Sequence, residues 1–268
     1  MPESGGHVAE ETAGNGRSFA RIGGWLVAAG AWSWILHSML LWFAATLLVQ
    51  VSMSSPSSAQ VQPGFLILGA AAGAAAGAGL AFGTGLLLHS MGLFRPPGAP
   101  EPRRAGSSWS LALAAVAAIG FIGYGILAIV GLVDVLATRA RAPGMAFPEI
   151  LDFAARAVVV WFAASCLLVA AAILTNLYLR GLRGDAQVQG TLSARDLIPY
   201  AVLNAVGVGL LVAAILPIAA AETLNMGQAL SVLVLLGQTE FVAVPILGII
   251  TFGFVFVVGL RLRQAVPR

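Results

Sequence analysis

The sequence predicts an all-α fold: a polytopic integral membrane protein, built as a six-transmembrane-helix bundle with cytoplasmic N- and C-termini. Hydrophobic residues make up 59% of the 268 positions, and charged residues only 9%. A soluble domain carries about 25% charged residues, so this chain has too few charges to cover a water-exposed surface. Long uncharged stretches and a one-sided distribution of arginine complete the prediction.

Six stretches are long and apolar enough to cross a bilayer, which takes about 20 helical residues. Their approximate bounds are 22–51, 65–94, 109–133, 157–179, 197–221 and 241–260. Residues 1–21 begin acidic and glycine-rich and are expected to form a disordered cytoplasmic tail. Residues 261–268 are expected to form a second cytoplasmic tail.

The last apolar stretch leaves two interpretations open. In the first, residues 241–260 form the sixth span and residues 227–237 form a short helix at the membrane surface. In the second, residues 227–260 form one long, tilted helix that is kinked at Pro245.

The arginines indicate the orientation of the bundle. All 14 basic side chains are arginine, and with six spans 11 of them lie on one side of the membrane. Only Arg139, Arg141 and Arg156 lie on the other side. Positive residues collect on the cytoplasmic side, so both termini are expected there, in a multi-pass protein of a bacterial-type inner (cell) membrane.

The same composition argues against most catalytic and nucleic-acid-binding classes. The single cysteine, Cys166, allows no intrachain disulfide, and no Cys and His residues stand at zinc-site spacing. A Walker-type phosphate loop needs a lysine, which the chain lacks, and no Gly-x-Ser-x-Gly elbow is present. The sequence therefore favours a non-enzymatic protein with no cofactor, metal or nucleic-acid partner and no catalytic residue.

His37 and His89 lie within the first and second spans, which raises the question of a haem held by two histidines. At 1.5 Å per residue, His37 lies about 22 Å from the inner boundary of the membrane and His89 about 8 Å from it. One iron cannot bind both rings at a separation of about 15 Å, so the sequence argues against haem.

The clearest motif is a run of small residues in the second span. Gly69, Gly73 and Gly77 recur every four residues and share one helix face, and Gly79 and Gly83 repeat the spacing on a displaced face. Helices in lipid associate through close backbone approach, which small residues permit. These five glycines are the predicted helix-packing face of a central helix.

Polar residues in the inner halves of three spans are a candidate pocket that opens toward the cytoplasm. Its members are Thr84, His89, Asn176, Tyr178, Tyr200 and Asn204. The alternative is that these side chains only form hydrogen bonds between pairs of helices.

Asp134 and Arg156 are expected to form an ion pair at the outer membrane interface, because they lie at similar depth where one span ends and the next begins. A proton relay through Asp134 is the alternative. No second acid lies deeper in the bilayer, which weakens it.

These observations lead first to an accessory or scaffold subunit that acts through helix packing. Its expected partners are membrane lipid and either further copies of the chain or another membrane protein. The alternative is a small-solute transporter or permease subunit that uses the polar pocket.

Overall fold

The computed structural model describes four segments of the chain, residues 4–53, 58–93, 104–141 and 147–188. Each segment is one α-helix: α1 (Ser4–Met53), α2 (Ser58–Leu93), α3 (Arg104–Arg141) and α4 (Phe147–Val188). The all-helical prediction is confirmed for these segments. The predicted spans 197–221 and 241–260, and the surface helix 227–237, lie outside them.

Three of the helices contain a segment long and apolar enough to cross a membrane: Ile22–Ala44, Pro63–Met91 and Leu111–Arg141. The helix α4 contains a shorter apolar segment, Cys166–Gly181. The coarse prediction of a helical membrane protein is therefore supported by helix length and composition.

Helix α1 begins far upstream of the apolar segment. It starts at Ser4, so most of the region for which the sequence favoured a disordered tail is helical here. Extending an existing helix requires only propagation and avoids the unfavourable nucleation step, which allows a polar, glycine-containing segment to continue a long apolar helix. Helix α4 has Pro148 and Glu149 in its first turn, where a proline and an acidic side chain both favour a helix start.

Consecutive helices pack side by side and run antiparallel. Gly23, early in α1, lies against Gly85, late in α2. Gly79 of α2 lies against Gly125 of α3 in the same antiparallel sense. Helix α3 in turn meets α4 through Gly120. In the described part of the chain, α2 therefore contacts α1 on one side and α3 on the other.

Small side chains and a few aromatic rings form the core. Trp34 of α1 packs against Phe82 of α2 with ring centroids 4.4 Å apart, and against Phe121 of α3 at 5.4 Å. Around these rings the core is largely alanine, including Ala72, Ala75, Ala78, Ala114, Ala117 and Ala171. A second cluster joins Phe65 of α2 to Phe153 of α4, with centroids 5.3 Å apart.

Candidate helix-packing site

Helix α2 uses one glycine face for its contact with α3. A Cβ atom at Gly79 would lie 2.6 Å from the Phe121 carbonyl oxygen, and one at Gly83 would lie 2.7 Å from the Ala118 carbonyl oxygen. Both distances are shorter than real Cβ contacts allow, so only glycine permits this approach of the two backbones. Gly69 also faces α3, with Leu132 at an ordinary contact distance of 3.6 Å.

A second glycine face of α2 packs against α1. A Cβ atom at Gly85 would lie 2.8 Å from the Val27 backbone nitrogen. The contact is reciprocal, because a Cβ at Gly23 of α1 would meet the backbone of His89. Gly30 lies about two helical turns after Gly23 and continues the close approach. A Cβ atom at Gly30 would lie 2.9 Å from the Phe82 side chain. These α1 glycines are seven residues apart and lie outside the run of small residues in the second span, so the sequence pattern did not mark them as contact positions.

Gly73 and Gly77 lie on a third face of α2, which the described residues leave largely uncovered and which borders α1 at Gly77. No described atom lies within 4 Å of a Cβ at Gly73, and the nearest to one at Gly77 is the Ser33 hydroxyl oxygen at 3.4 Å. Exposed residues flank the two glycines at alternating spacings of four and three: Leu66, Ala70, Leu80 and Thr84. We call the six residues from Leu66 to Thr84 on this stripe the open face of α2.

The five predicted glycines are therefore not all on one interface. Gly69, Gly79 and Gly83 face α3, whereas Gly73 and Gly77 lie on the open face. The four-residue spacing places Gly73 and Gly77 on the same side of the helix. It does not reveal which neighbouring helix, if any, the glycines contact.

Two members of the predicted polar pocket meet. The Tyr178 hydroxyl of α4 lies 3.3 Å from His89 Nδ1 of α2, and both side chains are fully buried. Either atom can carry the proton of this hydrogen bond, depending on the histidine tautomer. Thr84 is exposed on the open face and does not join them. The side chain of Asn176, and residues 200 and 204, lie outside what the structure describes.

Helix α1 contributes polar contacts that the sequence analysis did not assign. The Ser33 hydroxyl donates to the Ala74 carbonyl of α2 at 2.8 Å. One helical turn after Ser33, His37 Nδ1 lies 2.8 Å from the Ala71 carbonyl oxygen of α2. A carbonyl oxygen only accepts, so Nδ1 must carry a proton and donate. The close spacing of Ser33 and His37 in the sequence is the signal that could have revealed this shared face.

His37 and His89 do not share a site. His37 contacts Ala71, and His89 lies 18 residues further along the same helix, a distance of about 27 Å along its axis. One iron atom cannot reach both rings, whichever helix tilt is assumed for the pair.

Asp134 of α3 and Arg156 of α4 lie close together at the end of the bundle where α3 ends. Arg156 Nη2 is 3.6 Å from Asp134 Oδ1, and their side chains are 50% and 32% exposed. At this separation and exposure, an ion pair contributes about 0–1 kcal/mol, so it adds little to the stability of the contact between α3 and α4.

Within the four described helices, no group of three or more His, Cys, Asp or Glu side chains is arranged to hold a metal ion. Comparison with protein-family models, with curated proteins and with solved structures gives no match.

Proposed function

We propose that this chain is a non-enzymatic integral membrane protein that acts as a scaffold or accessory subunit through helix packing. In this proposal the open face of α2 receives a second transmembrane helix. The observation that carries the proposal is the open space at Gly73 among the described residues, on a helix whose Gly79, Gly83 and Gly85 are used for close backbone contact.

The physical argument is that lipid supplies no hydrophobic force to bring helices together. Association depends on dispersion and weak hydrogen bonds, which grow as backbones approach. The contacts at Gly79 and Gly85 are two examples of such an approach within this chain. Gly73 and Gly77 have the same spacing of small residues, and they leave room for a third close approach between helix backbones.

The occupant that fits best is a second copy of the chain. The open face carries no charged residue, so a complementary charge on a different partner is not needed. Two copies in one membrane have the same orientation, so a two-fold axis along the membrane normal makes their α2 helices parallel. Each residue of the open face then meets its own counterpart, which makes the interface self-complementary.

Energy transfer between donor- and acceptor-labelled copies in lipid vesicles tests the proposal. The wild-type protein should show transfer that increases with protein-to-lipid ratio, and Gly73→Leu should weaken association about tenfold or more, which corresponds to about 1.4 kcal/mol. A Cβ at Gly73 meets no described atom, so the variant should still fold. The matched control is Ile119→Ala, an exposed position on α3. A wild-type protein that stays monomeric, or transfer unaffected by Gly73→Leu, would contradict the proposal.

The finer topology belongs to the same proposal: six spans, both termini cytoplasmic, in an inner or cell membrane. The distribution of arginine supports it, with 11 of 14 on one side. Fusions of a reporter enzyme that is active only outside the cytoplasm test it. Activity is expected after residue 55 and not after residue 268. Activity at the C-terminus would mean an odd number of crossings.

A transporter function is the second candidate, and the His89–Tyr178 hydrogen bond is the observation that favours it. Two residues from different helices of the predicted pocket do meet, in a buried position. Solute flux into proteoliposomes tests this alternative. Transport that is abolished by His89→Ala and by Asn204→Ala would support it, and the absence of flux for every small solute tried would favour the scaffold.

A further inference from the structure

Trp34 and Ser38 lie one helical turn apart on the side of α1 that faces the core. Trp34 is 2% exposed, and Ser38 is completely buried. The Trp34 ring lies among rings from two other helices: Phe82 of α2 and Phe121 and Tyr124 of α3. This position is therefore the point where α1, α2 and α3 meet.

The polar atoms of these two side chains are buried with them. Neither the indole Nε1 of Trp34 nor the hydroxyl oxygen of Ser38 has a hydrogen-bond partner among the described residues. A polar group that is buried without a partner destabilises a fold by about 1–3 kcal/mol. Such groups in native proteins usually bind an internal water molecule.

The two groups differ in how they can be satisfied. A serine hydroxyl in a helix can turn back and donate to the carbonyl of the residue four positions earlier. The indole N–H of Trp34 points away from its own backbone and has no acceptor among the described residues. The Trp34 N–H is thus the group that requires an external acceptor.

The other polar side chains of α1 show that this helix does satisfy its polar groups where it can. Ser33 and His37, on the side toward α2, both make hydrogen bonds of 2.8 Å to α2 carbonyls. Trp34 and Ser38 each follow one of these residues in the sequence and are buried, and rings and alanines of the core surround Trp34. Neither polar atom makes a hydrogen bond to a described residue there.

We propose that Trp34 and Ser38 bind one internal water molecule at the junction of α1, α2 and α3. The water oxygen accepts the Trp34 N–H, and a water proton is donated to the Ser38 hydroxyl oxygen. Both ligands belong to α1, so the water forms a buried hydrogen-bonded bridge within that helix, at the level where it meets α2 and α3. A larger solute is disfavoured, because closely packed rings and alanine side chains line the junction.

Proton NMR of the protein labelled with ¹⁵N-tryptophan tests the site. The chain has six tryptophans, and the Trp34 indole signal is identified by its loss in Trp34→Phe, or by eliminating the other five with single Trp→Phe variants if that variant does not fold. The Trp34 N–H should show a dipolar cross-peak to water in the rotating frame, where proton exchange has the opposite sign. Trp32, 72% exposed in the middle of the apolar segment, is the control and should show none.

Removing the second ligand sharpens the test. Ser38→Ala should shift the Trp34 indole signal and weaken its cross-peak to water. A Trp34 signal without a water cross-peak in the wild-type protein would overturn the proposal, and so would a signal that is unchanged in Ser38→Ala.

A double-mutant cycle on thermal stability gives a second, independent readout. If one water bridges both groups, the Trp34→Phe/Ser38→Ala variant should lose no more stability than the worse single variant. Losses that simply add would mean that the two groups do not share a ligand.

Discussion

Single polar side chains hold helices of this protein together across buried interfaces. Ser33 and His37 donate to carbonyls of α2, and Tyr178 reaches His89 from α4. Hydrogen bonds between helices in a membrane contribute about 0.6 kcal/mol on average, with a maximum of about 1.7 kcal/mol. No single bond decides the fold, but together they fix which helix faces pair.

Tyr178→Phe should lower the free energy of unfolding by between about 0.6 and about 1.7 kcal/mol, because it removes the hydroxyl and keeps the buried ring. Denaturant titration of the protein in mixed micelles measures this change. The control is Ser90→Ala, since the Ser90 hydroxyl bonds only to the Leu87 carbonyl of its own helix. Its removal should have a smaller effect.

The same substitution in a His89→Leu background isolates the bond. There the tyrosine hydroxyl has lost this partner, so Tyr178→Phe should cause a smaller loss than it does in the wild-type background. An equal loss in both backgrounds would show that the hydroxyl stabilises the protein through some other contact.

At the scale of the helix, α2 is organised by three glycine-containing faces. One meets α3 through Gly79 and Gly83, one meets α1 through Gly85, and one is open at Gly73 and Gly77. Replacing a glycine of α2 by a larger residue should therefore destabilise the protein on one face and have little effect on another.

Gly79→Ala should destabilise the protein by about 1–3 kcal/mol, because its new methyl group would overlap backbone atoms of α3 that cannot move separately. Gly73→Ala is the matched control. It adds the same methyl group to the same helix at a point where no described atom lies within 4 Å, and its effect on stability should stay within about 0.5 kcal/mol. Thermal unfolding in detergent measures both, and similar losses for the two variants would contradict the assignment of faces.

The composition of α2 determines which of its features the sequence could predict. Apolar length identifies the spanning segments, and the spacing of small residues identifies their close-packing positions. The direction of each face could not be predicted, because lipid-facing and core-facing residues are both apolar. Leu80 is exposed and Leu86 is buried, yet both are leucine, so the polar stripe that orients a helix in a soluble protein is missing here.

The candidate site was predictable to a similar degree. His89 and Tyr178 were grouped only by their depth in the membrane. Residues at the same depth can meet if their side chains lie on helix faces that point toward each other. Thr84 has a suitable depth but lies on the open face, so it does not join them. Depth follows from counting residues, whereas face depends on how neighbouring helices pack.

For the whole molecule, the described helices form a consecutive antiparallel series in which α2 and α3 each have neighbours on two sides. Ser33, His37 and Tyr178 make hydrogen bonds within this series, and large apolar side chains cover much of its outside, such as Trp32 and Ile119. This arrangement suits a body surrounded by lipid. We propose that one part of the outside, the open face of α2, contacts another copy of the chain.

Site-directed cross-linking in the native membrane tests that claim most directly. In a Cys166→Ala background, single cysteines replace Ala70 and Thr84 on the open face, and Ile119 on the exposed side of α3 serves as the control. Oxidation should produce a covalent dimer from each open-face variant and none from the control, because parallel α2 helices bring each residue to its own counterpart. Absence of the dimer at both open-face positions, or an equal yield at Ile119, would contradict the account.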